Sequence, residues 1–158
     1  MVALFLAVAG CDRGSKPELV GQMAPDFTVS DAQRTVSLHD YKGKVVVLNF
    51  WATWCAPCLD ELPSLIQMQH DLGNRVTVLA VATDQDPDMY ARFMHDHQVD
   101  FISVNDAAQQ SNAKYGTWAW PETYIIDTKG IVRRKFIGPQ EWTSPAIVSY
   151  LQELGGTS

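Results

Sequence analysis

Two apolar runs separated by a helical pattern constrain the fold more than any other feature of the chain. The runs, Lys44–Phe50 and Val76–Ala82, are rich in β-branched residues and almost free of polar ones, which is typical of strands buried on both faces. Between them, leucines and an isoleucine recur at helical spacing around Pro63, which predicts a helix that is kinked at that proline because a backbone donor is missing there. A strand, helix, strand unit implies that the two strands pair in parallel through a right-handed crossover.

The rest of the pattern extends this unit into a mixed sheet. Alternating residues at Phe27–Val29 and Thr35–Leu38 predict an N-terminal β-hairpin. Further along, Asp86 and Pro87 predict the start of a helix, and residues 101–104 are predicted to form a short strand. An antiparallel pair of strands is predicted at 123–127 and 131–137. A last helix is predicted to begin at Thr143 and to end at Gly155. The predicted fold class is therefore α/β, with a mixed central sheet flanked by helices.

Length and charge exclude several functional classes. The chain has 158 residues, close to the size of one domain, and 46% of them are hydrophobic, as in ordinary globular proteins. The formal net charge of -6 argues against sequence-independent binding to the phosphate backbone of nucleic acids, so we expect no nucleic-acid partner. Three cysteines are too few for a disulfide-stapled scaffold.

The N-terminal residues resemble a bacterial lipoprotein signal. Residues 1–10 form an apolar run that is too short to span a bilayer, which takes about 20 residues, and that ends in small residues before Cys11. We expect residues 1–10 to be a leader, Cys11 to carry a lipid, 11–23 to be a tether and 24–158 to be the folded domain. The alternative is a truncated signal or anchor with an incidental cysteine, since no Lys or Arg precedes the run.

The sequence Trp54-Cys55-Ala56-Pro57-Cys58 lies where the first buried strand ends and the helix begins. In a βαβ context, two cysteines at this spacing predict a redox pair. The unpaired N–H groups at a helix N-terminus favour a thiolate, so we expect Cys55 to attack. Cys58, one helical turn later, is placed to resolve the mixed disulfide.

Three other roles for the cysteine pair are less well supported. A zinc site would need a second pair of ligands, and His95 and His97, two residues apart, do not share a helix face. A structural disulfide across so small a loop would stabilise the fold little. A one-cysteine peroxidase would have Ser or Thr three residues before its reactive cysteine, where this chain has Ala52.

Together with Trp120-Pro-Glu-Thr-Tyr-Ile-Ile-Asp127, the segment Val46–Cys58 resembles the thioredoxin-like TlpA/ResA/CcmG (DsbE) group of thiol–disulfide oxidoreductases. The likeness runs from about Ala24 to Leu154. It implies a thioredoxin fold with an N-terminal hairpin and a central insertion over residues 84–115. It also implies an extracytoplasmic, membrane-tethered protein that needs no organic cofactor or metal beyond the redox-active disulfide.

The resemblance assigns further residues to the site. Pro121 matches the family's cis-proline, and Trp120 would offer backbone groups to an extended substrate. Trp54 and Trp118 are expected on the surface beside it as substrate contacts, whereas Trp51 is expected in the core.

Asn49 stands where ordinary thioredoxins have a buried aspartate that transfers protons. We expect Glu61 or Glu122 to replace it, because a partly buried carboxylate with a raised pKa could accept the proton of Cys58. The alternative for Glu61 is a solvated helix residue.

We therefore expect a reductase of a protein disulfide, with apocytochrome c or a copper-site assembly protein as the substrate. Its electrons would come from a membrane donor of the DsbD/CcdA type. A disulfide oxidase or isomerase, and a copper-delivery module, stay open as alternatives.

Overall fold

Strand β3 (Val45–Trp51) lies at the centre of a five-stranded sheet in the computed structural model, which describes residues 19–156. All seven of its residues are buried. The strand order is β5-β4-β3-β6-β7, in which β4 (Val76–Ala82) and β5 (Ile102–Asn105) run parallel to β3. On the other side, β6 (Glu122–Ile126) pairs antiparallel with β3, and β7 (Val132–Ile137) pairs antiparallel with β6. The mixed sheet predicted from the sequence is confirmed.

Three helices cover one face of this sheet. Helix α1 (Ala56–Leu72) connects β3 to β4, α2 (Pro87–Asp96) follows β4, and α4 (Pro145–Gly155) ends the described chain. Their apolar side chains pack with alternate residues of the strands, including Val45, Val47 and Ile125. The parallel pairing of β3 and β4 through α1 follows the predicted crossover, and α1 runs continuously through Pro63.

The opposite face is covered by the N-terminal hairpin and a short helix. Strands β1 (Thr28–Ser30) and β2 (Thr35–Ser37) form the hairpin, as predicted. Helix α3 (Gln110–Tyr115), which the sequence analysis did not predict, adds Tyr115 to this side. The hairpin and α3 pack on the other set of alternate residues, among them Leu48, Phe50 and Tyr124. Period-two alternation thus gives the sheet two separate cores.

The contacts of the described chain begin a few residues before Ala24. The N–H of Gly21 donates to the carbonyl of Val132 at 2.7 Å, and the N–H of Val132 donates to the carbonyl of Gln22 at 2.9 Å. Residues 19–23 of the predicted tether therefore lie along the start of β7. The predicted leader at 1–10 and the predicted lipid site at Cys11 lie outside the described residues. Within 19–156, no helix is long and apolar enough to cross a membrane.

Candidate active site

The cysteine pair lies at the carboxyl end of β3. After Trp51 the chain turns, with the N–H of Cys55 donating to the carbonyl of Ala52 at 3.2 Å, and α1 begins at Ala56. Cys55 is the N-cap residue of α1, and Pro57 lies in the first turn, where a missing N–H costs little. Cys55 and Cys58 form a disulfide with their Cα atoms 5.3 Å apart. The predicted redox pair is thus closed within one helical turn.

The sulfur of Cys55 faces the start of the helix. It accepts the backbone N–H of Cys58 at 3.3 Å. Such a donor, together with the positive end of the helix dipole, favours negative charge on this sulfur when the pair is reduced. Both cysteines are buried, Cys55 at 5% residue exposure and Cys58 at 2%.

The loop that enters β6 lies beside the cysteine turn. The peptide bond between Trp120 and Pro121 is cis, as the resemblance implied. Because Phe50 pairs with Glu122 across β3 and β6, Pro121 lies next to the end of β3 from which the cysteine turn departs. The carbonyl of Pro121 accepts the N–H of Gly138 at 2.9 Å, which joins this loop to the end of β7.

Two tryptophans expected on the surface are exposed, and the one expected in the core is buried. Trp54 is 62% exposed and Trp118 is 71% exposed, whereas Trp51 is buried. Trp120 is half-buried, and its ring lies against that of Trp54 with the centroids 5.9 Å apart. This contact joins the cis-proline loop to the turn that carries Cys55.

Glu61, a residue of α1, is buried between this helix and the sheet. The side-chain amide of Asn49 donates to its Oε1 at 2.9 Å, and the N–H of Gln140 and the indole N–H of Trp142 donate to its Oε2 at 3.0 Å each. Desolvation raises the pKa of Glu61 above its ordinary value, although these three donors oppose the shift. The alternative of a solvated helix residue is wrong, since Glu61 is 3% exposed.

Glu122 lies on the other face. Strand alternation directs it to the side of Tyr124 and Ile126, away from α1. Its Oε1 accepts the hydroxyl of Tyr124 and pairs with the ammonium of Lys135 at 2.9 Å. The side chain is fully buried, and among the described residues its Oε2 has no hydrogen-bond partner. The two predicted acids therefore lie on opposite faces of the sheet. Only Glu61 lies on the face covered by α1, the helix that carries Cys58.

The sequence analysis missed the residues that hold Glu61. Trp142 is fully buried, packs edge-on against Phe136 and donates to Glu61 from the loop before α4. Asn49 also donates to the hydroxyl of Thr123 at 2.9 Å, so it connects β3 to β6 beneath the site. Asn49 was noted as a polar residue at the position of the aspartate of ordinary thioredoxins, but its contact with Glu61 was not predicted; nothing in the sequence around Trp142 indicated its partner.

The described residues contain no group of three or more His, Cys, Asp or Glu side chains that could hold a metal ion. The arrangement itself consists of a sulfur pair at the start of α1 and a buried carboxylate, that of Glu61, about one helical turn beyond Cys58.

Comparison with known proteins agrees with this chemistry. The model of the AhpC/TSA family matches residues 20–135. The thioredoxin-like protein YneN of Bacillus subtilis is 35% identical over 122 residues, which cover 75% of this chain and 71% of that protein. The thiol-disulfide oxidoreductase ResA of Bacillus thuringiensis is 31% identical over 137 residues, covering 85% and 78%.

Among solved structures, that of the thiol:disulfide interchange protein DsbE from Chlorobium tepidum superposes with a TM-score of 0.74. It is 31% identical, and the match covers 85% of this chain and 94% of the other. With the cysteine pair at the helix N-terminus, these matches show a thiol–disulfide oxidoreductase. The chain belongs to the thioredoxin-like AhpC/TSA family and is similar within it to the ResA and DsbE oxidoreductases.

Proposed function

We propose that this oxidoreductase reduces a disulfide of another protein outside the cytoplasm. The observation that carries the proposal is the placement of Cys55 as the N-cap of α1, with its sulfur accepting the Cys58 N–H. The Cys55 thiolate attacks one substrate sulfur, forming a mixed disulfide and releasing the other substrate sulfur as a thiolate. Cys58 then attacks Cys55, which leaves the substrate with two thiols and the enzyme with its disulfide.

Glu61 receives the proton that Cys58 loses in the second step. It lies three residues after Cys58 on α1, a spacing that brings side chains to the same side of a helix. One donor occupies its Oε1, and a carboxylate oxygen has two lone pairs, so one remains for a proton. Because Glu122 lies on the opposite face, paired with Lys135, we assign it to holding β6 against β7 rather than to proton transfer.

The substrate docks on a surface that includes Trp54, Trp118 and Trp120, next to the buried cis-proline Pro121. The side chains of Trp54 and Trp118 offer large apolar faces to solvent, and Trp54 directly precedes Cys55. Aromatic side chains of this kind are enriched among the residues that dominate protein–protein binding. An extended segment of the substrate would pair with the backbone of Trp120, as in strand addition.

The proposed partners and location rest on the resemblance to the family and on the N-terminal sequence. A lipid on Cys11, or the apolar segment at 1–10, would anchor the domain outside the cytoplasm. Each turnover leaves the enzyme oxidised, so two electrons must come from a membrane donor, for which we propose the DsbD/CcdA type. The resemblance of the cysteine and Trp120–Asp127 segments to the TlpA/ResA/CcmG (DsbE) group favours apocytochrome c as the first candidate substrate. A copper-site assembly protein is the second candidate.

A pair of cysteine variants tests the order of attack. Cys58→Ser should accumulate a mixed disulfide with a substrate-like peptide disulfide, because the resolving sulfur is absent, whereas Cys55→Ser should form none at this pair. Non-reducing mass spectrometry measures the adduct, and the Cys55→Ser, Cys58→Ser double variant controls for Cys11. Equal trapping through Cys58 in the Cys55→Ser protein would refute the assigned nucleophile.

Trp118→Ala should weaken substrate binding without changing the chemistry. We expect KM for a protein disulfide to rise about threefold to tenfold, a loss of about 1 kcal/mol, while kcat stays close to that of the wild type. The matched control is Met23→Ala, since Met23 is 62% exposed but lies at the opposite end of β3. An unchanged KM, or an equal rise in the control, would remove Trp118 from the docking surface.

The direction of electron flow is tested by the reduction potential of the Cys55–Cys58 pair. Equilibration with thiol buffers, read by mass spectrometry of the cysteine peptides, should give a value near or below about -200 mV, toward that of thioredoxin. A value near about -120 mV would instead make the protein a disulfide donor.

The raised pKa of Glu61 predicts a specific pH dependence of stability. The folded protein holds the Glu61 proton more tightly than the unfolded chain does. The unfolding free energy of the oxidised wild type, relative to Glu61→Gln, should therefore fall as pH rises through and above about 4.5, the usual value of a glutamate. Denaturant unfolding at several pH values measures this difference, with Asp60→Asn, an exposed carboxyl on the same helix, as the control. A difference that rises with pH would show that the shift has the opposite sign.

A further inference from the structure

The turn that carries Cys55 is hydrogen-bonded to a buried carboxylate, that of Asp84, which follows the end of the neighbouring strand β4. Trp51 pairs with Ala82 in the parallel ladder, and the N–H of Thr83 donates to the carbonyl of Trp51 at 3.2 Å. Two residues beyond this pair on each strand, Thr53 meets Asp84. The backbone N–H of Thr53 donates to both carboxylate oxygens of Asp84, at 3.3 and 3.2 Å, and its hydroxyl donates to Oδ1.

Asp84 is itself held in place by a second strand end. Its N–H donates to the side-chain oxygen of Asn105 at 3.0 Å, and the side-chain amide of Asn105 donates back to the carbonyl of Asp84 at 3.0 Å. The N–H of Asn105 in turn donates to Asp31 in the turn of the N-terminal hairpin, also at 3.0 Å. A continuous chain of hydrogen bonds therefore runs from the hairpin through β5 and β4 to the residue two before Cys55.

We propose that Asp84 is a positioning residue that holds the turn 52–55 so that Cys55 stays at the N-cap of α1. The inference rests on the proposed role of Cys55 as the attacking thiolate. Thr53 is the second residue of the turn closed by the Cys55 N–H and the Ala52 carbonyl. Fixing both donors of Thr53 fixes the path of the backbone into Cys55, and with it the approach of the sulfur to the Cys58 N–H.

The residue type fits this task. A carboxylate accepts through two oxygens, so it can bind the N–H and the hydroxyl of Thr53 together, whereas an amide side chain has only one acceptor oxygen. Asp84 is 3% exposed, and a buried carboxylate is costly unless donors surround it. Displacement of a reacting group by about 1 Å can cost up to about a hundredfold in rate. The carboxylate of Asp84 thus holds the backbone at Thr53, where a small shift would displace the sulfur of Cys55.

The test follows the alkylation rate of Cys55 in the reduced full-length chain. Iodoacetamide is the probe, and peptide mapping separates Cys55 from Cys58 and Cys11. We expect Asp84→Asn to slow alkylation of Cys55 about tenfold and Thr53→Val, which loses only the hydroxyl, to slow it by a smaller factor. The double variant should be no slower than Asp84→Asn, because both changes break the same contact. Thr53→Ser, which keeps the hydroxyl, should react like the wild type.

Asp106→Asn is the matched control for a merely structural effect. Asp106 directly follows β5 and is also buried, at 6% exposure. It accepts the N–H and the hydroxyl of Ser111 at the start of α3. Its loss should lower the unfolding midpoint about as much as Asp84→Asn does, but leave the alkylation rate of Cys55 unchanged. Equal slowing in Asp106→Asn would overturn the proposal.

Two further results separate the possible failures. Faster alkylation in Asp84→Asn with no change in Thr53→Val would mean that Asp84 acts through its negative charge, which contradicts positioning. Preferential alkylation of Cys58 in the wild type would instead contradict the proposed nucleophile and leave the contact between Thr53 and Asp84 without its assigned role. Should Asp84→Asn fail to fold, an unchanged rate in Thr53→Val would still refute the proposal.

Discussion

The pairing of β3 with both of its neighbours is the constraint on which the site depends. Because β4 runs parallel and β6 antiparallel to β3, the carboxyl end of β3 lies beside the carboxyl end of β4 and the amino end of β6. The cysteine turn, Asp84 and the cis-proline therefore meet at one edge, although they are far apart in the sequence. A slip of β3 by one residue would exchange the two faces of the strand and carry the side chain of Asn49 away from Glu61 and Thr123, so these polar contacts favour the observed register.

The two faces of the sheet separate the buried acids. Glu61 lies among Asn49, Gln140 and Trp142 on the helical face, surrounded by neutral donors, and its pKa is raised by burial. Glu122 lies on the hairpin face with the ammonium of Lys135 beside it. The two acids differ in position, because only Glu61 lies on the helix and the sheet face that carry Cys58, and its raised pKa favours uptake of a proton. This difference is the physical reason for assigning the proton of Cys58 to Glu61.

Much of the fold could be predicted because its signals are local. The apolar, β-branched composition of Lys44–Phe50 and Val76–Ala82 predicts buried strands. Asp86 with Pro87 predicts a helix start, and the structure confirms its side-chain cap. Helix α3 was missed because its six residues are too few to show a period, and the residue before it adopts a positive φ. The contacts of Glu61 with Trp142 and of Thr53 with Asp84 span 81 and 31 residues. No local pattern carries such pairs, although the parallel register of β3 and β4, once known, brings Thr53 and Asp84 together.

The cysteine turn is held at three points by three different elements. Asp84 after β4 binds Thr53, the ring of Trp120 before β6 lies against Trp54, and the first turn of α1 donates to the Cys55 sulfur. Each hold restrains a different residue, so the turn cannot shift as a unit without breaking contacts on several sides. The outer face of Trp54 stays exposed. On the proposed docking surface, a substrate would meet a Cys55 sulfur whose turn is held from several sides, and such preorganisation would let binding energy be used for orientation rather than for ordering the loop.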